Sequence, residues 1–406
     1  MPMPNAQCPM PMPPTYADAD ANANANANAD QNLEGEVSLI HIPLAEYSHY
    51  VQPILQLLFP SAEGTREGSG GHLHGSWANQ YPFLNVSVIP NDCSVVCPKA
   101  LAQKLFAPVI TSVNRNCELP RGRASISQED FVVIQVDGEG LEAGQRVLEL
   151  TTPLAMAKIS VFFITTYFSD YVLVPAKSRG QVIHALEERG FAFEESAEAY
   201  VNPAAHHRNT SSSSSFDHLH PPSTPPPRSV HELQTRVMDL LKRRNIGPRV
   251  DKNIRLIQCA GRKDNPSNSK SDELELQAGL VKCIAHKPRF LSLTLTDSEP
   301  ASILLESRLV PNFGSGNVLL GSKEEYLIPI TLDLEPLPFE ATGIVCGVAA
   351  RLVGESERDL MGAIDMRYLS TARAGTVMVD EKDLERTLEA LQLGDNGMEV
   401  NSQPGG

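Results

Sequence analysis

Two distant stretches of this chain are copies of one pattern. ISVFFITTYFSDYVLVPAKSRGQVIHAL, Ile159 to Leu186, and IDMRYLSTARAGTVMVDEKDLERTLEAL, Ile364 to Leu391, align without a gap. Ile159 falls on Ile364, Thr166 on Thr371, Val174 on Val379, Lys177 on Lys382, and Ala185-Leu186 on Ala390-Leu391. Each copy reads as strand, tight turn, strand, helix. β-Branched and aromatic residues run from Ile159 to Tyr167, Phe168-Ser169-Asp170 is the turn signal, and Tyr171 to Val174 resumes the apolar run. Val182, Ile183 and Leu186 then fall on one helical face. A repeat this long implies duplicated domains and excludes a short-period solenoid.

The remaining chain fits weaker copies. Strand Val37 to Ile42, helix Tyr50 to Phe59, strands Phe83 to Ile89 and Cys93 to Cys97, and helix Lys99 to Leu105 form a first unit, with Asp92 where Asp170 sits in the second. Strand Phe131 to Val136 and a helix within Arg146 to Lys158, started or kinked by Pro153, lead into the founding stretch, and Phe191 to Phe193 reads as a closing strand. Strand Ile254 to Cys259, a helix near Leu274 to His286, and strands Phe290 to Thr296 and Ala301 to Glu306 give a third unit. Leu327 to Leu334 and helix Gly343 to Leu352 precede the second copy of the repeat. Strand, helix, strand, strand, helix is the order of the ferredoxin-like βαββαβ unit.

The expected organisation is α+β, with four ferredoxin-like units as two tandem pairs at 35–120 and 126–200, then 251–325 and 326–394. Low-complexity residues 1–34 and the end 395–406 read as disordered tails. The stretch 201–250 reads as a Ser/Pro-rich linker, followed by an amphipathic helix opened by the capping box Ser229-Val230-His231-Glu232. The residues leave open whether that helix docks on the body or on a partner.

Charge and motifs narrow the function. A net charge of −15 with only short basic runs argues against nucleic acid. No apolar run approaches the roughly 20 residues of a membrane span, and the Met-Pro start lacks the pattern of a signal peptide, so a cytoplasmic protein is expected. The seven cysteines form no zinc set, and reduced thiols are expected. The histidines His72, His74, His206, His207, His218 and His220 lie in loop-like sequence. There is no phosphate loop, HExxH or GxSxG elbow. Cys97 with His41 or His184 is a dyad only arithmetically. No enzyme, cofactor or metal is expected.

Together, ISVFFITTYFSDYVLV, FEATGIVCGVAARLV and the four-unit layout resemble the CASTOR family, cytosolic arginine sensors of the TOR growth pathway built from ACT domains. The resemblance covers most of residues 36 to 394, with insertions at 62 to 75, 202 to 245 and 354 to 361. It implies a free amino acid, arginine or another, bound between units two and four, and a protein complex upstream of the TOR kinase as partner. A homodimer through exposed strand edges is a further expectation. Carried over by position, Ser160 and Val161, the loop Glu340, Ala341, Thr342, Gly343 and Ile344, and Thr371-Ala372 with Gly375 hold the ligand, while Tyr167 and Asp170 belong to the partner surface. Two positions that are acidic in the family are Ala341 and Gly375 here, and neither can pair with a cation. Other readings are an ACT-fold scaffold that has lost ligand binding, and a regulatory subunit of an amino-acid biosynthetic enzyme.

Overall fold

A computed structural model of the chain describes residues 28–29, 36–60, 77–115, 123–137, 142–193, 227, 229–262, 269–314, 318–338, 341–354 and 364–392. Twelve principal strands fall into four sequential sets. Unit 1 holds β1 (Val37–Pro43), β2 (Phe83–Ile89) and β3 (Asp92–Pro98), and unit 2 holds β4 (Phe131–Asp137), β5 (Phe162–Thr165) and β6 (Ser169–Pro175). Unit 3 holds β7 (Leu256–Gly261), β8 (Leu291–Thr296) and β9 (Ser302–Glu306). Unit 4 holds β10 (Leu327–Asp333), β11 (Met366–Ser370) and β12 (Ala374–Asp380). Between the first and second strands of each unit lies a helix: α1 (Tyr47–Leu58), α2 (Ala143–Met156), α3 (Ser269–Ala285) and α4 (Ile344–Gly354).

In every unit the third strand lies between the other two. The units then join edge to edge, units 2 and 4 through β5 and β11, and units 1 and 3 through β2 and β8. Single residue pairs, Val37 with Phe131 and Leu256 with Leu327, close the circuit. Each of the twelve strands therefore has a neighbour on both sides, and the edges on which a homodimer was expected are taken up within the chain.

Three cores follow from this topology. One, under α2 and α4, belongs to units 2 and 4, and a second, under α1 and α3, to units 1 and 3. The third collects Leu39, Phe83, Tyr171, Leu173, Leu304, Leu369 and Met378 from the strands of all four units. Strands covered on both faces need apolar side chains on both. That is why FVVI, at the start of β4, and YVLV run continuously apolar instead of alternating.

Several boundaries differ from expectation. The turn of unit 2 is Thr166 to Ser169, closed by the Thr166 amide donating to the Ser169 carbonyl at 3.0 Å, so Asp170 belongs to β6. Asp92 likewise sits in β3. Helix α2 begins at Ala143, with Pro153 inside it and neither starting nor ending it. The closing strand of unit 2, Ala192–Phe193, pairs with Asn28–Ala29 instead of returning to its own sheet. Pro248–Val250, within the expected linker region, pairs with β10.

The amphipathic helix α5 (Val230–Arg243) docks on the body. Ser229 caps it by accepting from the Glu232 amide at 3.1 Å, and its buried face is Leu233, Val237 and Leu241. Val237 occupies the space above Gly347 of α4, where an added Cβ would come within 2.7 Å. Leu233 sits over Gly343, whose φ of +79° also favours glycine. No helix among the described residues is long and apolar enough to cross a membrane.

Candidate functional site

The junction of units 2 and 4 is built from the repeat itself. β5 and β11 meet in one register pair, Ile164 with Leu369. Beyond it the strands are stitched by side chains: Ser370 Oγ accepts from the Phe163 amide at 2.9 Å, and Thr165 Oγ1 from the Tyr368 amide at 3.1 Å. Because the ladder is so short, Ser160 to Phe162 stands away from unit 4 and a pocket of about 70 Å³ opens. The loop after β10 (Leu334, Leu337, Pro338, Ala341), the first turn of α4 (Ile344, Val345) and the β11–β12 hairpin (Tyr368 and Ser370 to Ala374) complete its wall. A helix start presents amide groups without intrahelical acceptors, so a carboxylate is suited to this end of the pocket.

Of the expected ligand residues, Ser160, Val161, Ala341, Ile344, Thr371 and Ala372 line this pocket. Thr342 and Gly343 flank the lining, and Gly343 faces α5. Gly375 lies beneath the Tyr368 ring, where any Cβ would collide with the tyrosine hydroxyl. Glu340, the loop histidines and most of the linker lie outside the described residues. Not expected from the sequence were Phe162, the Leu334–Pro338 loop, Val345, Tyr368, Ser370, Arg373 and Ala374. Ser370 and Arg373 bracket Thr371-Ala372, and that adjacency was the available signal.

Tyr368 is fully buried and its hydroxyl has no hydrogen-bond partner among the described residues. Burial pushes its pKa up, so the phenol stays neutral. Arg373 is the one charged side chain among the described lining residues.

Of the two residues expected at a partner surface, Asp170 is buried and Tyr167 half-buried. Asp170 is fully buried and accepts from Arg146 Nε at 2.8 Å, an interior ion pair between β6 and α2. Tyr167 is half-buried, and its amide donates to Ser302 Oγ of unit 3 at 2.8 Å. The opposite hairpin does the same: the Ala372 amide donates to Ser94 Oγ at 3.1 Å and the Arg373 amide to Asp92 Oδ2 at 3.2 Å. The pocket's hairpin is thus tied to unit 1. Asp92 also holds His41 Nδ1 at 2.8 Å.

The arithmetic dyad fails on geometry. Burial pushes the Cys97 thiol up to about 12, and His41 is committed to Asp92 while His184 lies exposed beside Glu188. Among the described residues no cluster of His, Cys, Asp and Glu could hold a metal ion.

Residues 126–188 match the ACT domain family. A bovine (Bos taurus) protein named cytosolic arginine sensor for mTORC1 subunit 1 is 28% identical over 138 residues, which is 34% of this chain and 37% of that protein. The matched stretch therefore spans little more than a third of the relative. Among solved structures, an aspartate kinase from Synechocystis is similar over 96% of this chain and 60% of its own, with 12% identity and a TM-score of 0.32. A Vibrio cholerae protein of unknown function matches 41% of this chain and 95% of its own, at 14% identity and a TM-score of 0.26. The chain thus carries an ACT domain of ferredoxin-like fold within its mixed helices and strands.

Proposed function

We propose that the protein is a non-enzymatic amino-acid-binding regulator of four ACT units, acting in the cytoplasm as a nutrient sensor on the TOR pathway. The observation that carries this reading is the pocket at the junction of units 2 and 4, where Ser160, Val161, Ala341, Ile344, Thr371 and Ala372 converge from distant parts of the chain. The name of the bovine relative supports the pathway, as a protein complex upstream of the kinase would be the partner. In this reading a ligand touches the Thr371–Ala374 hairpin, and Asp92 and Ser94 carry its displacement to unit 1. It shifts a partner's affinity only by its preference for one of the two arrangements.

A scaffold that has lost its ligand is the second reading, and one observation favours it: the Tyr368 hydroxyl fills the space over Gly375. Thermal unfolding against each common amino acid at millimolar concentration separates the two. Ligand at about 100 times its dissociation constant adds about 2.7 kcal/mol. A sensor gives one clear rise in melting temperature, abolished by Ser160→Leu. A scaffold gives a flat panel, and Ser160→Leu leaves its partner bound.

A further inference from the structure

The pocket's chemistry is one-sided. Arg373 supplies a positive charge, the hydroxyls of Ser160, Ser370, Thr371 and Tyr368 are neutral, and no carboxylate stands among its described lining residues. The remaining wall is largely aliphatic, with Val161, Leu334, Leu337, Ile344 and Val345. A guanidinium or second ammonium entering here would meet Arg373 as a like charge, and no described lining residue offers it a counter-charge. An α-carboxylate, in contrast, finds both Arg373 and the first-turn amides of α4. Tyr368, itself a lining residue, adds an independent sign: its hydroxyl is wholly buried over Gly375 and has no partner among the described residues, a state that native interiors rarely tolerate.

We infer that the pocket takes an amino acid with an uncharged, mainly apolar side chain, its carboxylate at Arg373 and the start of α4, and the Tyr368 hydroxyl serving its polar end. This rests on the reading that the pocket binds a free amino acid. It assigns a ligand class opposite to a cationic one.

The test is calorimetric titration of the full chain with valine, leucine, threonine, arginine and lysine. Binding by an uncharged member, weakened at least tenfold in Arg373→Gln, supports the inference. Arg373 is half-buried, and an unchanged melting temperature of the unliganded variant shows that it folds. Tyr368→Phe deletes an unpartnered hydroxyl and is expected to fold at least as stably, while binding the same amino acid several-fold more weakly. Tighter binding of arginine or lysine than of any uncharged member overturns the inference and leaves the amino-acid reading standing. No binding by any of the five overturns the inference, and a flat response to the full amino-acid panel above would overturn the wider reading with it.

Discussion

The junction of units 2 and 4 and the junction of units 1 and 3 are the same construction, closed to different degrees. Between units 1 and 3, β2 and β8 pair along their whole facing edges, from Val88 with Leu291 to Phe83 with Thr296. Asn85 Nδ2 donates to Ser292 Oγ and Thr294 Oγ1 at 3.2 and 3.0 Å, and Ser87 Oγ donates to Asn85 Oδ1 at 2.7 Å, so buried polar groups satisfy one another. Between units 2 and 4 the ladder is a single pair, and the strand segments beyond it frame the pocket. A full ladder makes a seal; a truncated ladder with hydroxyl stitches makes a site. Duplication supplied two equivalent seams, and the open one frames a pocket.

The largest effect is expected from Arg146→Met, on the open side. It leaves the carboxylate of Asp170 buried without its cation and should lower unfolding free energy by about 3–5 kcal/mol in a denaturant titration. An effect below 1 kcal/mol would mean that Asp170 is solvated and that the unit 2–unit 4 side is looser than described.

On the closed side, Asn85→Ala takes a bond from each of Ser87, Ser292 and Thr294, of which Ser87 and Ser292 keep only one another, and should cost about 1–3 kcal/mol. Its ligand response, if the open seam alone binds, should be unchanged at matched stability. Gly347→Leu strikes Val237 and should cost a comparable 1–3 kcal/mol, about the usual penalty of overpacking. Hydrogen exchange would then show Val230–Arg243 losing protection ahead of the strands, and uniform loss instead would show that α5 is integral to the core.

The smallest effect concerns Glu306, at the rim of unit 3. Burial raises its pKa, but Arg308 and the Phe290 and Arg289 amides outweigh that and hold its carboxyl below the usual value. A depressed folded-state pKa contributes stability that is present above the unfolded value of about 4.3 and is lost as pH falls through the folded one. Glu306→Gln should therefore cost about 1–2 kcal/mol at neutral pH, reduced by the solvent around the half-exposed arginines. The difference from the parent should shrink below pH 4, and a constant difference would assign the effect to packing.

Much of this arrangement was legible locally. The gapless match of Ile159–Leu186 with Ile364–Leu391 marked two related units, and the apolar runs located their strands within a few residues. The Ser229 cap was readable because a hydroxyl and an amide three residues apart carry their own geometry. Asp170 was misread because aspartate is common in turns, and its partner Arg146 lies on a helix far back in the chain. Tyr368 was missed as well, since a tyrosine in a β-rich run is ordinary until Gly375 is seen beneath it.

The sequence by itself determined most of the elements and their repeated order, which depend on neighbours a few residues apart. Only the tertiary structure decided that unit 2 pairs with unit 4 and unit 1 with unit 3, that one seam seals and the other opens, and that α5 lies against α4. Edge strands of four similar units offer nearly the same backbone groups and apolar faces. Which of them join depends on the fit of side chains such as Asn85, Ser370 and Val237 across gaps that no local pattern records.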